Sequence, residues 1–114
     1  MADTARVVLA SGTGNAAAVI PTAGLRLLGF SITESAGSPA AAKISIQEGA
    51  GADITTEIVG VNFAASESVR EWYGEHGIPC PGGIYLNRIS GSTRAVIYYR
   101  VSDYGKDSGQ APGW

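Results

Sequence analysis

At 114 residues, this chain has the length of one domain that can bury a core without a metal or disulfide staple. It carries 8 Lys and Arg against 10 Asp and Glu, for a formal net charge of -2. A single Cys excludes an internal disulfide, and no apolar run approaches the ~20 residues of a membrane span, so we expect a protein folded in a cytoplasm, with no membrane partner.

The basic residues are scattered along the sequence without a run. Nucleic acid is therefore not an expected partner, because phosphate neutralisation needs a concentrated cationic face. The fold could still gather Arg88, Arg94 and Arg100, which recur in the last part of the chain.

Short apolar segments rich in Val, Ile, Leu and Tyr alternate with clusters of Gly, Ser, Pro and Asn. This pattern is typical of strands, and it predicts an all-β fold: a single, jelly-roll-like β-sandwich over residues 1–102 with an extended C-terminal arm over residues 103–114. The predicted strands are residues 5–10, 17–21, 25–34, 41–48, 53–63, 68–73, 83–89 and 94–101.

The fourth predicted strand has the clearest alternation of apolar and polar residues. Ile44 and Ile46 should face a core, whereas Lys43, Ser45 and Gln47 should face water or a partner. With the same alternation in other strands, the predicted core positions include Leu25, Leu27, Ile44, Ile46, Ile97 and Tyr99.

Residues 65–72 permit two interpretations. Ser66 could cap a single helical turn, but we favour a strand for the second half of the segment. The aromatic residues that follow, Trp72 and Tyr73, could form a sugar-stacking platform with Tyr85, although aromatics in a small β domain lie more often in a core or an interface.

The stretch WYGEHGIPCPGG, residues 72–83, contains the only His and the only Cys, His76 and Cys80. One Cys, one His and a nearby Glu are too few ligands for a structural zinc site, and a Cys–His nucleophile would need an orienting third group and an oxyanion hole. We predict no catalytic, metal or cofactor role for this pair, and no enzymatic activity for the protein.

The last two predicted strands read as a hairpin around a glycine-containing loop at residues 90–93. The second of these strands has apolar residues on both faces, with Val96 and Tyr98 on the face opposite to Ile97 and Tyr99. A neighbouring subunit or the domain's own loops could cover Val96 and Tyr98, and the sequence leaves both possibilities open.

The C-terminal segment, residues 103–114, has too little apolar surface to fold alone but contains Tyr104 and ends on Trp114. A Trp side chain can bury about 150–250 Å². We therefore expect this arm to bind a neighbouring subunit or a larger assembly through Trp114.

Several stretches carry a family resemblance. They are GLRLLGFSITES at residues 24–35, PAAA at 39–42, SESVREWYG at 66–74, GIP at 77–79 and GGIY at 82–85. In this order they resemble small β-sandwich virion proteins of tailed bacteriophages, of the head-decoration or minor capsid type.

The resemblance implies a structural virion protein, namely a capsid decoration protein bound in many copies to the phage head after synthesis in the host cytoplasm. Its partners would be the major capsid protein or other virion proteins, and it would form a homo-oligomer, with a trimer favoured. The alternatives are a neck, tail or fibre component, or a carbohydrate-binding sandwich. The expected partner-binding residues are Trp114, Tyr104, Tyr98, Val96, Trp72 and Tyr73.

Overall fold

Nine β-strands and one turn of 3-10 helix form the secondary structure of residues 4–101, the part of the chain that this computed structural model describes. Within this range no helix has the length and apolar character needed to cross a lipid bilayer. The elements are β1 (Ala5–Gly12), β2 (Ala16–Val19), β3 (Leu25–Glu34), β4 (Ala42–Glu48), the 3-10 turn η1 (Ile54–Thr56), β5 (Glu57–Phe63), β6 (Ser68–Trp72), β7 (Ile78–Pro79), β8 (Ile84–Ser90) and β9 (Thr93–Val101).

The strands form two antiparallel sheets. Sheet A has the order β1-β9-β3-β6, with the short β7 also paired to β3, and sheet B has the order β2-β8-β4-β5. Most connections along the chain cross from one sheet to the other, and the eight longer strands have the order of a jelly roll. The predicted all-β sandwich is therefore confirmed.

The core lies between the inner faces of the two sheets. Leu25, Leu27 and Ile97 from sheet A meet Ile44 and Ile46 from sheet B, and all five side chains are fully buried. Tyr99 is partly buried and packs against the same cluster. The predicted core positions are thus confirmed, because alternation along each strand places every second side chain on the inner face.

The last two long strands do not form the predicted hairpin. β8 lies in sheet B between β2 and β4, whereas β9 lies in sheet A between β1 and β3. The loop between them is a corner that carries the chain from one sheet to the other. At this corner Gly91 has a φ of 77°, and a Cβ atom there would lie 2.6 Å from the Cβ of Ala42. The hairpin prediction was wrong because a glycine turn between two strands has the same local sequence in either arrangement.

The outer face of sheet B is covered by the connection between β4 and β5. Lys43 is exposed as expected, but Ser45 and Gln47 are fully buried, which corrects the prediction that they face water or a partner. Ser45 Oγ donates to Glu57, Gln47 Nε2 donates to Ser45 Oγ at 2.9 Å, and the backbone N–H of Asp53 donates to Gln47 Oε1 at 2.6 Å. These bonds satisfy polar groups that the covering segment removes from water.

The start of β5 also differs from the prediction. Asp53 caps η1, since its carboxylate accepts hydrogen bonds from the backbone N–H and the hydroxyl of Thr55, and the strand begins only at Glu57. The helical alternative for residues 65–72 is not observed: Ser66 lies in a turn with a φ of 62°, and the strand β6 follows it.

Candidate functional site

The outer face of sheet A brings together side chains from four strands that are distant in the sequence. Strand pairing places them in two neighbouring rows that run across the sheet. One row consists of Arg6, Tyr98, Gly29 and Trp72, and the next of Val8, Val96, Ser31 and Arg70. We call this surface, together with Arg26, Arg94 and Arg100 at the ends of the strands, the arginine-rimmed face.

An aromatic pair lies at the centre of this face. Trp72 is 57% exposed, and its indole meets the ring of Tyr98 edge to face, with centroids 6.4 Å apart and an interplanar angle of 74°. Gly29 lies between them in the sheet, where a Cβ atom would be 2.4 Å from the carbonyl oxygen of Glu71 and 3.0 Å from the Trp72 ring. The absence of a side chain at Gly29 therefore allows β6 and the indole to approach β3 closely.

Arginines surround this aromatic centre on all sides. Arg6 and Arg70 lie on the two edge strands, Arg94 lies at one end of β9, and Arg26 pairs with Arg100 at the other end of the sheet. These are five of the eight basic residues of the chain. Glu34 and Glu71 occupy the alternate positions of these strands; Glu34 is buried, whereas Glu71, on the edge strand β6, is exposed and lies beside Arg70 and Trp72 at the edge of this face.

Arg26 and Arg100 stand directly opposite each other on adjacent strands. Like charges in such a cross-strand pair repel and are unfavourable unless another group compensates. Arg26 Nη1 donates to the backbone carbonyl of His76 at 3.0 Å, whereas Arg100 Nε is buried and has no hydrogen-bond partner among the described residues. The pair thus places two positive charges side by side on adjacent strands.

Sequence reasoning missed this clustering of arginines. The five residues come from β1, β3, β6 and β9, and only the sheet order places them on one face. Arg88 is not part of it: its guanidinium donates to Thr93 Oγ1 at 3.2 Å and to the carbonyls of Gly14 at 3.0 Å and Ala10 at 2.8 Å. The suggested grouping of Arg88 with Arg94 and Arg100 was therefore wrong. The one sequence feature that could have indicated the cluster is that each of these four strands has at least one arginine at an outward position.

Three of the expected partner-binding residues, Tyr98, Val96 and Trp72, lie together on the arginine-rimmed face. Tyr73 does not join them: it packs against the core beside Phe30, with ring centroids 6.4 Å apart, and burial raises the pKa of its hydroxyl. Tyr104 and Trp114 lie outside the described residues, so their role stays a prediction.

The suggested sugar-stacking platform is not assembled. Tyr85 lies on β8 in the other sheet, where it pairs with Gln47, and Tyr73 packs against the core. Trp72 has Tyr98 as its aromatic neighbour, and these two rings are nearly perpendicular instead of coplanar. The geometry therefore does not favour a flat surface for a sugar ring.

The His76 and Cys80 side chains have different environments. Cys80 is fully buried in the core, and burial raises the pKa of its thiol to about 11, so the thiol stays protonated near neutral pH. His76 is exposed on the loop between β6 and β7. Over residues 4–101, no cluster of three or more His, Cys, Asp and Glu side chains is placed to hold a metal ion. That the pair has no function stays a prediction.

Comparison with known protein families, with curated proteins and with solved structures gives no match for this chain.

Proposed function

We propose that this protein is a structural virion protein, a capsid decoration protein that binds in many copies to the head of a tailed bacteriophage through the arginine-rimmed face. The observation that carries the proposal is this face: an exposed aromatic centre surrounded by arginines, on a sheet whose other side is fully committed to the core. Trp, Tyr and Arg are the residues that dominate binding energy in protein interfaces.

The fold and the sequence resemblance agree with this proposal. Jelly rolls are used both by viral capsid proteins and by binding modules, so the fold alone does not choose between them. The resemblance to small phage virion proteins favours the first, and the perpendicular arrangement of Trp72 and Tyr98 argues against the carbohydrate-binding alternative.

The size of the face fits attachment in many copies. Four strands spaced by about 4.8 Å span about 14 Å, and the seven residues from Arg94 to Arg100, with six rises of about 3.3 Å between them, span about 20 Å. With its side chains, such a patch is at or below the ~800 Å² per partner of a standard interface. Each contact would be modest, and repeated copies on a symmetric shell would supply the remaining affinity by avidity.

The proposal includes the major capsid protein as the partner, the capsid surface as the location and a homo-oligomer, preferably a trimer, as the bound form. The arginine-rimmed face is a poor surface for contact between copies, because it would bring arginines against arginines. Subunit contacts would therefore use other surfaces and leave this face to the shell.

The test compares occupancy on purified phage particles for two variants. Trp72→Ala removes the centre of the face, and we expect its occupancy to fall at least tenfold. Ile54→Ala removes an equally exposed apolar side chain from the connection that covers sheet B, and it should bind like the wild type. Equal occupancy for wild type and Trp72→Ala would contradict attachment through this face, and labelling at the neck, tail or fibre would contradict the decoration role.

A further inference from the structure

The arginine-rimmed face has the chemistry to select its partner, and we propose that it binds a carboxylate-rich surface of another protein. In this arrangement a carboxylate lies between Arg26 and Arg100, and an apolar side chain of the partner packs on Trp72. This inference rests on the proposed function, because both use the arginine-rimmed face as the site of attachment. It goes further by specifying the chemistry of the partner surface.

The arginine-rimmed face is positively charged, although the chain as a whole is negatively charged. The whole chain has a formal net charge of -2, yet within residues 4–101 five arginines occupy outward strand positions of this face, against one exposed carboxylate, Glu71, at its edge beside Arg70 and Trp72. A positive face on a negative protein has a directional field, which steers a negatively charged partner to that face and disfavours other orientations.

The Arg26–Arg100 pair provides a place for an anion on this face. The two guanidinium groups lie on directly paired residues, and their repulsion would be relieved by an anion between them. Arg26 uses Nη1 for the carbonyl of His76, and Arg100 Nε is buried, so a carboxylate would reach the other guanidinium nitrogens of the two residues. Nitrogens thus remain for a carboxylate, which matches the planar fork of an arginine.

The arrangement of the arginines distinguishes a protein partner from a nucleic acid. A nucleic acid needs a continuous track of positive charge along its phosphates. Here the arginines stand around an apolar and aromatic centre formed by Val8, Val96, Tyr98 and Trp72, and Val8 is 58% exposed. A hydrophobic centre within a polar rim is the usual anatomy of a protein interface.

The binding test uses two labelled probes of similar charge, a fluorescein-labelled deca-glutamate peptide and a labelled ten-nucleotide oligothymidine. Fluorescence anisotropy measures the dissociation constant of each probe with the full chain at low and at physiological salt. We expect the peptide to bind more tightly than the oligonucleotide and to weaken as salt rises. An oligonucleotide that binds as tightly as the peptide, or more tightly, would overturn the proposal.

Substitutions then locate the binding. Arg26→Gln and Arg100→Gln should each weaken peptide binding roughly threefold, and the double variant about tenfold, as expected for partly exposed ion pairs. Lys43→Gln makes the same charge change at an exposed position on sheet B and should leave the affinity unchanged. If either arginine variant melts at a lower temperature than the wild type, Arg94→Gln at the exposed end of the rim replaces it in the comparison.

Occupancy on phage particles separates this inference from the proposed function. Wild-type occupancy for the Arg26→Gln, Arg100→Gln double variant would overturn the carboxylate partner while leaving a decoration role intact. Peptide binding that depends on the two arginines, together with absence of the protein from particles, would support the carboxylate partner and contradict the virion role. Peptide affinities that fall equally for the arginine variants and for Lys43→Gln would overturn the inference, because they indicate binding by net charge alone.

Discussion

Glu34 is a buried carboxylate at the end of β3 that connects two loops. Its Oε2 accepts a hydrogen bond from the backbone N–H of Ala36 at 2.7 Å, and its Oε1 accepts one from the backbone N–H of Ser66, also at 2.7 Å. Ser66 has a φ of 62°, a conformation that few non-glycine residues adopt. The hydrogen bonds from Ser66 and Ala36 hold the pKa of Glu34 below its usual value.

This lowered pKa predicts a pH dependence of stability. A carboxyl group whose pKa is lower in the folded than in the unfolded state stabilises the fold above its unfolded pKa, about 4.3 for Glu, and this stabilisation disappears as the pH falls through the folded pKa. Glu34→Gln should therefore have a lower Tm than the wild type at pH 7, and the difference should shrink below about pH 4.

Thermal melts monitored by circular dichroism between pH 7 and pH 3 measure this difference. Glu75→Gln, in the exposed loop after β6, is the control and should melt like the wild type throughout the range. A Tm difference for Glu34→Gln that does not change with pH would mean that the carboxylate charge is not the stabilising feature.

Ile46 tests the assignment of the inner face. It is fully buried between the sheets, so Ile46→Ala should lower the free energy of unfolding by about 2–5 kcal/mol. Val8→Ala, on the exposed outer face of sheet A, should change it by no more than about 0.5 kcal/mol. Urea denaturation measures both, and a loss below about 0.5 kcal/mol at Ile46 would show that the faces are wrongly assigned.

At the scale of the elements, Gly29 controls how closely β6 approaches β3. In Gly29→Ala the new Cβ atom would meet the carbonyl oxygen of Glu71, which belongs to the backbone, so the edge strand must move. We expect a loss of stability of about 1–3 kcal/mol, as for overpacked sites, together with a change in Trp72 fluorescence. Because Trp114 also fluoresces, the measurement is made in a Trp114→Phe background.

Gly37→Ala is the matched control for this substitution, because a Cβ atom at Gly37 has no neighbour within 4 Å. It should change neither the stability nor the spectrum. Equal melting and equal fluorescence for Gly29→Ala and Gly37→Ala would contradict the close approach of β6 to β3.

The sequence could predict strands and their faces because both follow from local alternation. Ile44 and Ile46 were assigned to the core on this ground, and they are buried there. Burial of Ser45 and Gln47 could not be predicted in the same way, since it depends on the path of residues 49–57 over the outer face of sheet B. Polar residues in a strand indicate the outer face, but they do not indicate what covers it.

The candidate site could be predicted only in part, because it depends on which strands are neighbours. Tyr98 and Val96 were identified from the two-sided apolar pattern of β9, and Trp72 from its aromatic character. The rim of arginines was not identified, because Arg6 and Arg100 are separated by most of the chain and come to lie on one face only through the pairing of β1 with β9. Pairing of this kind is set by the fold and has no local sequence signal.

At the scale of the whole molecule, the resemblance to virion proteins predicts self-association, whereas the outer residues of β9, Val96 and Tyr98, belong to the arginine-rimmed face and are left for the shell. Sedimentation equilibrium should give the mass of a trimer, and the Arg26→Gln, Arg100→Gln double variant should sediment like the wild type, because subunit contacts avoid the arginine-rimmed face. A monomer both in solution and on particles would contradict the prediction. A change of assembly state in the double variant would place this face in the subunit contact.

The order of strands in sheet A has a consequence for how the protein is made. β9 is the last strand of the described chain, yet it lies between β1 and β3, and β4 with β5 is the one pair of consecutive strands within residues 4–101 that are hydrogen-bonded neighbours. During synthesis, β1 therefore has no partner in sheet A until the ribosome has released residues 93–101. Pairing over such long separations is slow, typically milliseconds to seconds. The nascent chain must keep its apolar segments soluble for that time, and completion of β9 is the step that allows the sandwich to close.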